Sequence, residues 1–288
     1  MENKKIGILV DTAGGNDPSV YENTNVDLIP LHIVFEDGTD VKDTEANLKT
    51  TNFYQRVSDG ENVKTSQASP GELAEKYDEM LNKYDHIIHL PIPQNLSSMY
   101  QTSLMMANDG DYDEKITVVE HSMAANGIKE CALAINKKLQ AEEFKSIDEV
   151  LAFIKDYEKN MYLGIIPGDL KKLAKGGRAL NVLNAMLSLF KTKVLIKWEA
   201  KPKKQAMART IGALVKPVIE TTKKDYKNPS DYKFIFVSTP LTDEKIKDNA
   251  KEALDAAKIK YTEELIPPLY TAHAGVNTIG FVTVKIYK

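Results

Sequence analysis

Compact apolar runs of strand length alternate with amphipathic stretches along the whole chain. Lys5 to Asp11 reads K-I-G-I-L-V-D, Val26 to Phe35 is a second apolar run, and His86 to Leu90 (H-I-I-H-L) is a third, each with the continuous hydrophobicity of a buried strand. Lys115 to Val119 continues the series. Between these runs lie helical spacings: one to about Lys83, one from Ser97 through Met99, Leu104 and Met106, and one from Ala124 to about Gln140. A further helix, Ile147 to Lys159, puts Val150, Leu151, Ile154 and Tyr157 on one face. Strands alternating with helices in this way predict a parallel, doubly wound sheet.

The pattern changes character at Met161. Tyr162 to Arg178 reads as a strand, a break at Pro167-Gly168, a short basic helix and the pair Gly176-Gly177, which can deliver Arg178 into a cleft. Leu180, Leu183, Leu187 and Phe190 then share one face of an apolar helix, the spacing of ordinary core packing and equally of a tunnel wall. A strand at Val194 to Trp198 and the basic link Lys201-Pro202-Lys203-Lys204 lead to a long helix interrupted near Pro217. Tyr232 to Ser238, a helix from Asp243 to Ala257, Tyr261 to Ile266 and a last strand, Phe281 to Ile286, complete a second α/β region. The expectation is two α/β domains, residues 1–160 and 161–288, the first with a parallel sheet and the second with a mixed one.

Composition narrows the classes. A chain of 288 residues with 42% hydrophobic and 27% charged positions can bury a sizeable core. Lys and Arg number 38 against 41 Asp and Glu, a net charge of −3, so no global positive field recruits nucleic acid. No apolar run approaches the roughly 18 residues of a membrane span, and the first residues enter a strand without a long apolar leader. The expectation is a cytoplasmic protein with no stable membrane insertion. Cys131 is the only cysteine, which excludes an intramolecular disulfide and a cysteine-based zinc site.

Candidate chemistry sits at turns. Ser69, Pro70 and Glu72 form a capping-box pattern that opens a helix, leaving Thr65, Ser66 and Gln67 before the cap at a strand-to-helix turn. The stretch after Leu90 is a second polar turn, and Ser97 or Ser98 can cap the helix that follows. Ligands in open α/β sheets lie outside the carboxyl ends of strands, where a helix N-terminus favours an anionic group. Two such turns with hydroxyls can share one crevice. The acidic Glu36 to Asp40 turn reads as surface chemistry, and His121 in a strand exit is a candidate base, although a lone loop histidine is more often structural or merely exposed. His273, between Pro267-Pro268 and the glycines Gly275 and Gly280, is the stronger histidine candidate. No G-x-G-x-x-G, phosphate loop, metal cluster or Ser/His/Asp arrangement is present, so independent catalysis and a bound cofactor are not expected.

Four segments, in order, resemble the DegV family: Thr65 to Pro70 (T-S-Q-A-S-P), Leu96 to Gln101 (L-S-S-M-Y-Q), Lys175 to Arg178 (K-G-G-R), and Ala272 to Gly275 (A-H-A-G) with Gly280. The resemblance covers nearly the whole chain. It implies a two-domain α/β fold with a long-chain fatty acid such as palmitate held between the domains, in a bacterial protein of lipid metabolism that is not itself an enzyme. It also implies presentation of the carboxylate to a separate ATP-using fatty acid kinase subunit. By the resemblance, Thr65, Ser97 and Ser98 match the head-group hydroxyls, His273 the histidine of their network, and Arg178 the arginine near the cleft. The chain departs from the family pattern at Val10-Asp11-Thr12-Ala13, at Ser98-Met99, at Val276-Asn277 and at Lys201-Pro202-Lys203-Lys204, where an arginine is absent. An alternative expectation, from a fold similar to the substrate domain of dihydroxyacetone kinases, is an enzyme acting on a small carbonyl or phosphorylated substrate through His273.

Overall fold

The computed structural model describes residues 5–175 and 192–287. Strand β1 (Ile6–Asp11) is buried at every position, as the continuous apolar run requires of a central strand. It pairs in parallel with β2 (Val26–Ile29) on one side and β6 (His86–Leu90) on the other, and β6 pairs in parallel with β7 (Ile116–Val118). The resulting four-stranded sheet, ordered β2-β1-β6-β7, is the parallel sheet that the alternation predicts. Helices Pro70–Leu81, Met99–Ala107, Asn126–Gln140 and Ile147–Lys159 follow the predicted spacings. The capping box at Ser69 is formed, the Glu72 N–H donating to Ser69 Oγ and the Ser69 N–H to the Glu72 carboxylate.

The apolar run from Val26 to Phe35 is two strands rather than one. Pro30 has no N–H to offer a ladder, and the Leu31 N–H turns to Thr12 Oγ1 at 3.1 Å instead. Beyond this break, β3 (His32–Val34) leaves the parallel sheet and pairs antiparallel with β4 (Asp40–Lys42) and β5 (Lys64–Ser66), in the order β4-β3-β5. Thr65 therefore lies inside a strand, opposite Ile33, and not in the turn expected from sequence.

The second sheet has six strands in the order β10-β9-β8-β13-β11-β12. They are β8 (Met161–Ile166), β9 (Lys193–Lys197), β10 (Lys203–Ala208), β11 (Tyr232–Ser238), β12 (Thr262–Leu265) and β13 (Ile279–Lys285). The β11–β12 pair is parallel and the other pairs are antiparallel, so the sheet is mixed. Two local expectations need correction. The basic link does not run straight into a helix, because Lys203–Ala208 forms the edge strand β10. Its side chains alternate: Ala206 and Ala208 pack on the cluster around Leu195, Phe236 and Phe281, and Met207 on the one around Val194 and Ile196. Pro217 does not interrupt the helix Ile211–Asp225 either. A mid-helix proline costs about 3 kcal/mol, but this helix buries Ile211, Leu214, Val215, Val218 and Ile219, and burying each such side chain returns about 1.5–3 kcal/mol.

The chain forms two compact units, Met1–Thr51 with Lys64–Lys159, and Asn52–Val63 with Asn160–Lys288. The excursion at 52–63, which carries the short helix Phe53–Ser58, has no counterpart in the hydrophobic alternation. No helix among the described residues is long and apolar enough to cross a membrane.

Candidate functional site

In the first unit, β1 and β6 are neighbours whose outer partners lie on opposite sides, so the crevice at their carboxyl ends is the switch point of the sheet. Asp11 closes this point. Its Oδ1 accepts the Ala13 N–H at 3.0 Å and its Oδ2 accepts the Ile92 N–H at 2.6 Å, tying the exits of the two strands together. Burial pushes its carboxyl up to about 7 even though both backbone bonds pull the other way. A second buried carboxyl, Asp43, stands near it. Asp43 Oδ1 accepts from Asn16 Nδ2 at 3.0 Å and the Thr12 hydroxyl donates to the same carboxylate, while Oδ2 is buried with no partner among the described residues. Burial, and less strongly the Asp11 charge, raise Asp43 to about 7 as well. Sequence reasoning passed over Asp43; the visible signal for Asp11 was a carboxylate ending the run I-G-I-L-V-D.

The two hydroxyl-bearing segments are joined in this unit. Thr65 is half-buried on β5 while Lys64 and Ser66 are exposed, so the strand turns the threonine inward. Gln67, two residues on, donates from Nε2 to Thr102 Oγ1 at 2.9 Å, which joins the T-S-Q segment to the helix Met99–Ala107. Ser97 and Ser98 lie at the start of that helix. Ser98 is its N-cap residue but is exposed and makes no side-chain cap bond; Ser97 Oγ instead accepts the Met99 N–H at 3.2 Å. Of the two serines expected as caps, Ser98 holds the capping position and Ser97, one residue earlier, makes the side-chain bond. Thr102, four residues beyond Ser98, was not anticipated, although that spacing places both on one helix face.

Two histidines next to this crevice are structural. Tyr77 Oη and His89 Nδ1 share a 2.8 Å hydrogen bond in the core, and burial with His121 nearby holds His89 down at about 3. His121 is likewise buried, held near 4, and accepts the Met123 N–H on Nδ1, which makes it the structural histidine among its sequence readings and not an exposed one. Neutral, enclosed imidazoles of this kind are poor general bases at neutral pH.

His273 belongs to the second unit, half-buried in the last turn of the helix Pro268–Ala274. The helix ends at Gly275, whose φ of 84° favours glycine, and the Ala274 carbonyl accepts the Asp169 N–H at 2.8 Å. Gly168 beside it packs so closely that a Cβ there would lie 2.6 Å from the Asn277 backbone carbon. These approaches pin the end of β8 against the turn that follows His273. In the same unit a cavity of about 390 Å³ is lined by residues that include Asn62, Gly168, Asp169, Lys171, Lys172 and Gly275. Arg178 and the apolar face Leu180, Leu183, Leu187 and Phe190 lie outside the described residues. Among the described residues, no group of three or more His, Cys, Asp or Glu is arranged to hold a metal ion.

Comparison with known proteins bears on this arrangement. A fatty-acid-binding protein of Thermotoga maritima is 27% identical over 291 residues, covering 96% of each chain. The solved structure of a DegV lipid-binding protein from Thermotoga maritima superposes with a TM-score of 0.81 at 25% identity, over 99% of both chains. A fatty-acid-binding DegV family protein from Thermus thermophilus has a TM-score of 0.85 at 21% identity, over 98% of this chain and all of that one, a likeness of fold. The family model described as "Uncharacterised protein, DegV family" matches residues 5–285, and with the whole fold aligned the chain belongs to the DegV family.

Proposed function

We propose that this protein binds a long-chain fatty acid such as palmitate, with the carboxylate received by Thr65, Ser97 and Ser98. The observation that carries this reading is the likeness, over 96% of both chains, to a fatty-acid-binding protein. The arrangement of the first unit supports it: Ser97 and Ser98 follow the carboxyl end of β6 in the parallel sheet, and the Gln67–Thr102 bond joins the segment of Thr65 to the helix they open. His273 and Arg178 enter this reading through the family motifs alone. The acid is the ligand of a non-enzymatic cytoplasmic carrier, with no cofactor, and its presentation to a separate kinase subunit is part of the same reading.

Native mass spectrometry of the purified protein tests the ligand. A co-purified mass matching a C16 or C18 acid, displaced by added palmitate, is the expected result; a protein that carries no lipid and takes up no palmitate refutes it. The kinase step has its own test. A bacterial fatty acid kinase catalytic subunit with ATP should make acyl phosphate only when the palmitate-loaded chain is added, and no product would restrict the function to carriage.

A further inference from the structure

The T-S-Q segment contains an amide whose hydrogen bonding is half complete. Gln67 Nε2 donates to Thr102 Oγ1 at 2.9 Å, while Oε1 is buried with no partner among the described residues. Buried polar atoms in native proteins are almost always paired, and an orphan of this kind calls for an explanation in a missing water or ligand. The position is informative. Gln67 stands two residues past Thr65 and one past the end of β5, and exposure alternates through this stretch, Thr65 and Gln67 half-buried and Lys64 and Ser66 exposed, which turns Thr65 and Gln67 to the same side. Thr102 stands four residues past Ser98, with its N–H bonded to the Ser98 carbonyl at 3.0 Å, so those two side chains share a helix face. The amide therefore bridges the Thr65 side of β5 and the Ser98 side of the helix.

Amide and hydroxyl chemistry allow two states of this bridge. A threonine hydroxyl is both donor and acceptor, and an amide presents an oxygen at one end and an NH₂ at the other. A half-turn of the amide exchanges the roles without breaking the bridge: Thr102 Oγ1–H then donates to Oε1, and Nε2 presents its N–H groups where the orphan oxygen had been. The state with the oxygen outward repels a carboxylate. The turned state donates to one. We propose that Gln67 is a head-group residue of the fatty-acid site, with Thr102 as its positioning residue, the amide turning on loading so that Nε2 donates to the carboxylate. This inference rests on the fatty-acid reading and adds to it a neutral donor beside the hydroxyls.

The test compares Gln67→Met, Gln67→Glu and Thr102→Val for binding of palmitate and of methyl palmitate, with thermal melting of each ligand-free variant. Gln67→Met should weaken palmitate roughly tenfold to a hundredfold, the size of one hydrogen bond to a charged group. Gln67→Glu should weaken it further, because a second negative charge faces the first, and should spare the uncharged ester by comparison. Thr102→Val should reproduce part of the Gln67→Met loss, and the double variant should be no worse than Gln67→Met, since the two residues act as a unit. The inference is overturned if Gln67→Met and Gln67→Glu bind palmitate as tightly as the parent, or if Gln67→Glu weakens acid and ester equally, which marks a packing role. A parent protein that binds neither ligand overturns the fatty-acid reading itself, and this inference with it.

Discussion

Asp43 gives a prediction that depends on the fold alone. Its carboxyl is fully enclosed, and its Oδ2 has no partner among the described residues, so the charged form is destabilised relative to the unfolded chain. The folded group titrates at about 7 against an ordinary value of 3.8, and that difference corresponds to about 4 kcal/mol. Below pH 4 the carboxyl is protonated in both states and contributes nothing. Between about pH 4 and pH 7 the unfolded chain has released this proton while the folded chain keeps it, so stability falls as pH rises. Above pH 7 both states are ionised and the whole cost is present. Asp43→Asn keeps an oxygen to accept from Asn16 and Thr12 and cannot ionise. Relative to the parent, its stability should rise by up to about 4 kcal/mol between pH 4 and pH 8. The two units need not unfold together, and Trp198, the only tryptophan, lies in the other unit. Hydrogen exchange of peptides covering 6–16 and 29–44, measured at constant ionic strength across that pH range, reads the relevant unit directly. Asp11→Asn is the control. Both Asp11 oxygens accept backbone N–H groups, so the amide NH₂ must face one of them, and the variant should lose about 1–3 kcal/mol already at pH 4. A stability difference between Asp43→Asn and the parent that stays flat from pH 4 to pH 8 would refute the reasoning.

Three further outcomes are expected. Thr65→Val should weaken palmitate binding tenfold to a hundredfold with little change in melting, whereas Ser97→Ala should lower both affinity and, by about 1 kcal/mol, stability, because Ser97 Oγ also accepts the Met99 N–H; equal palmitate affinity in Thr65→Val and the parent disproves the head-group assignment. Shortening the ligand by about four carbons should cost roughly 3 kcal/mol, a hundredfold, if the acyl chain is buried, and titration calorimetry showing equal affinity for octanoate and hexadecanoate would exclude an apolar tunnel. Gly168→Ala should destabilise the second unit by about 1–3 kcal/mol, since its methyl would sit 2.6 Å from the Asn277 backbone; urea melts followed by Trp198 fluorescence that overlay the parent would contradict that packing.

The sequence alone determined the elements whose signals are local. The buried strand Ile6–Asp11, the helix opened by Ser69 and Glu72, and the helix Ile147–Lys159 could be read directly, because apolar period and capping chemistry are properties of neighbouring residues. The family motifs were local too, and they carried the resemblance over the whole chain. Tertiary structure decided what depends on partners far away in sequence. Whether Val26 to Phe35 made one strand or two turned on Thr12 taking the Leu31 N–H, and whether Lys203 to Ala208 extended turned on two apolar clusters lying on opposite sides of it. Pro217 stayed inside its helix because burial of that helix outweighed a local penalty. In the candidate site, Ser97 was legible as a hydroxyl at a turn and Thr65 as a hydroxyl of the T-S-Q segment, though a strand holds it, and the bond that joins their segments links Gln67 to Thr102, 35 positions apart. Asp43 shows no local mark of its burial at all: the charge of a carboxylate can be read from the chain, whereas the loss of water around it exists only once residues 11 to 43 have folded together.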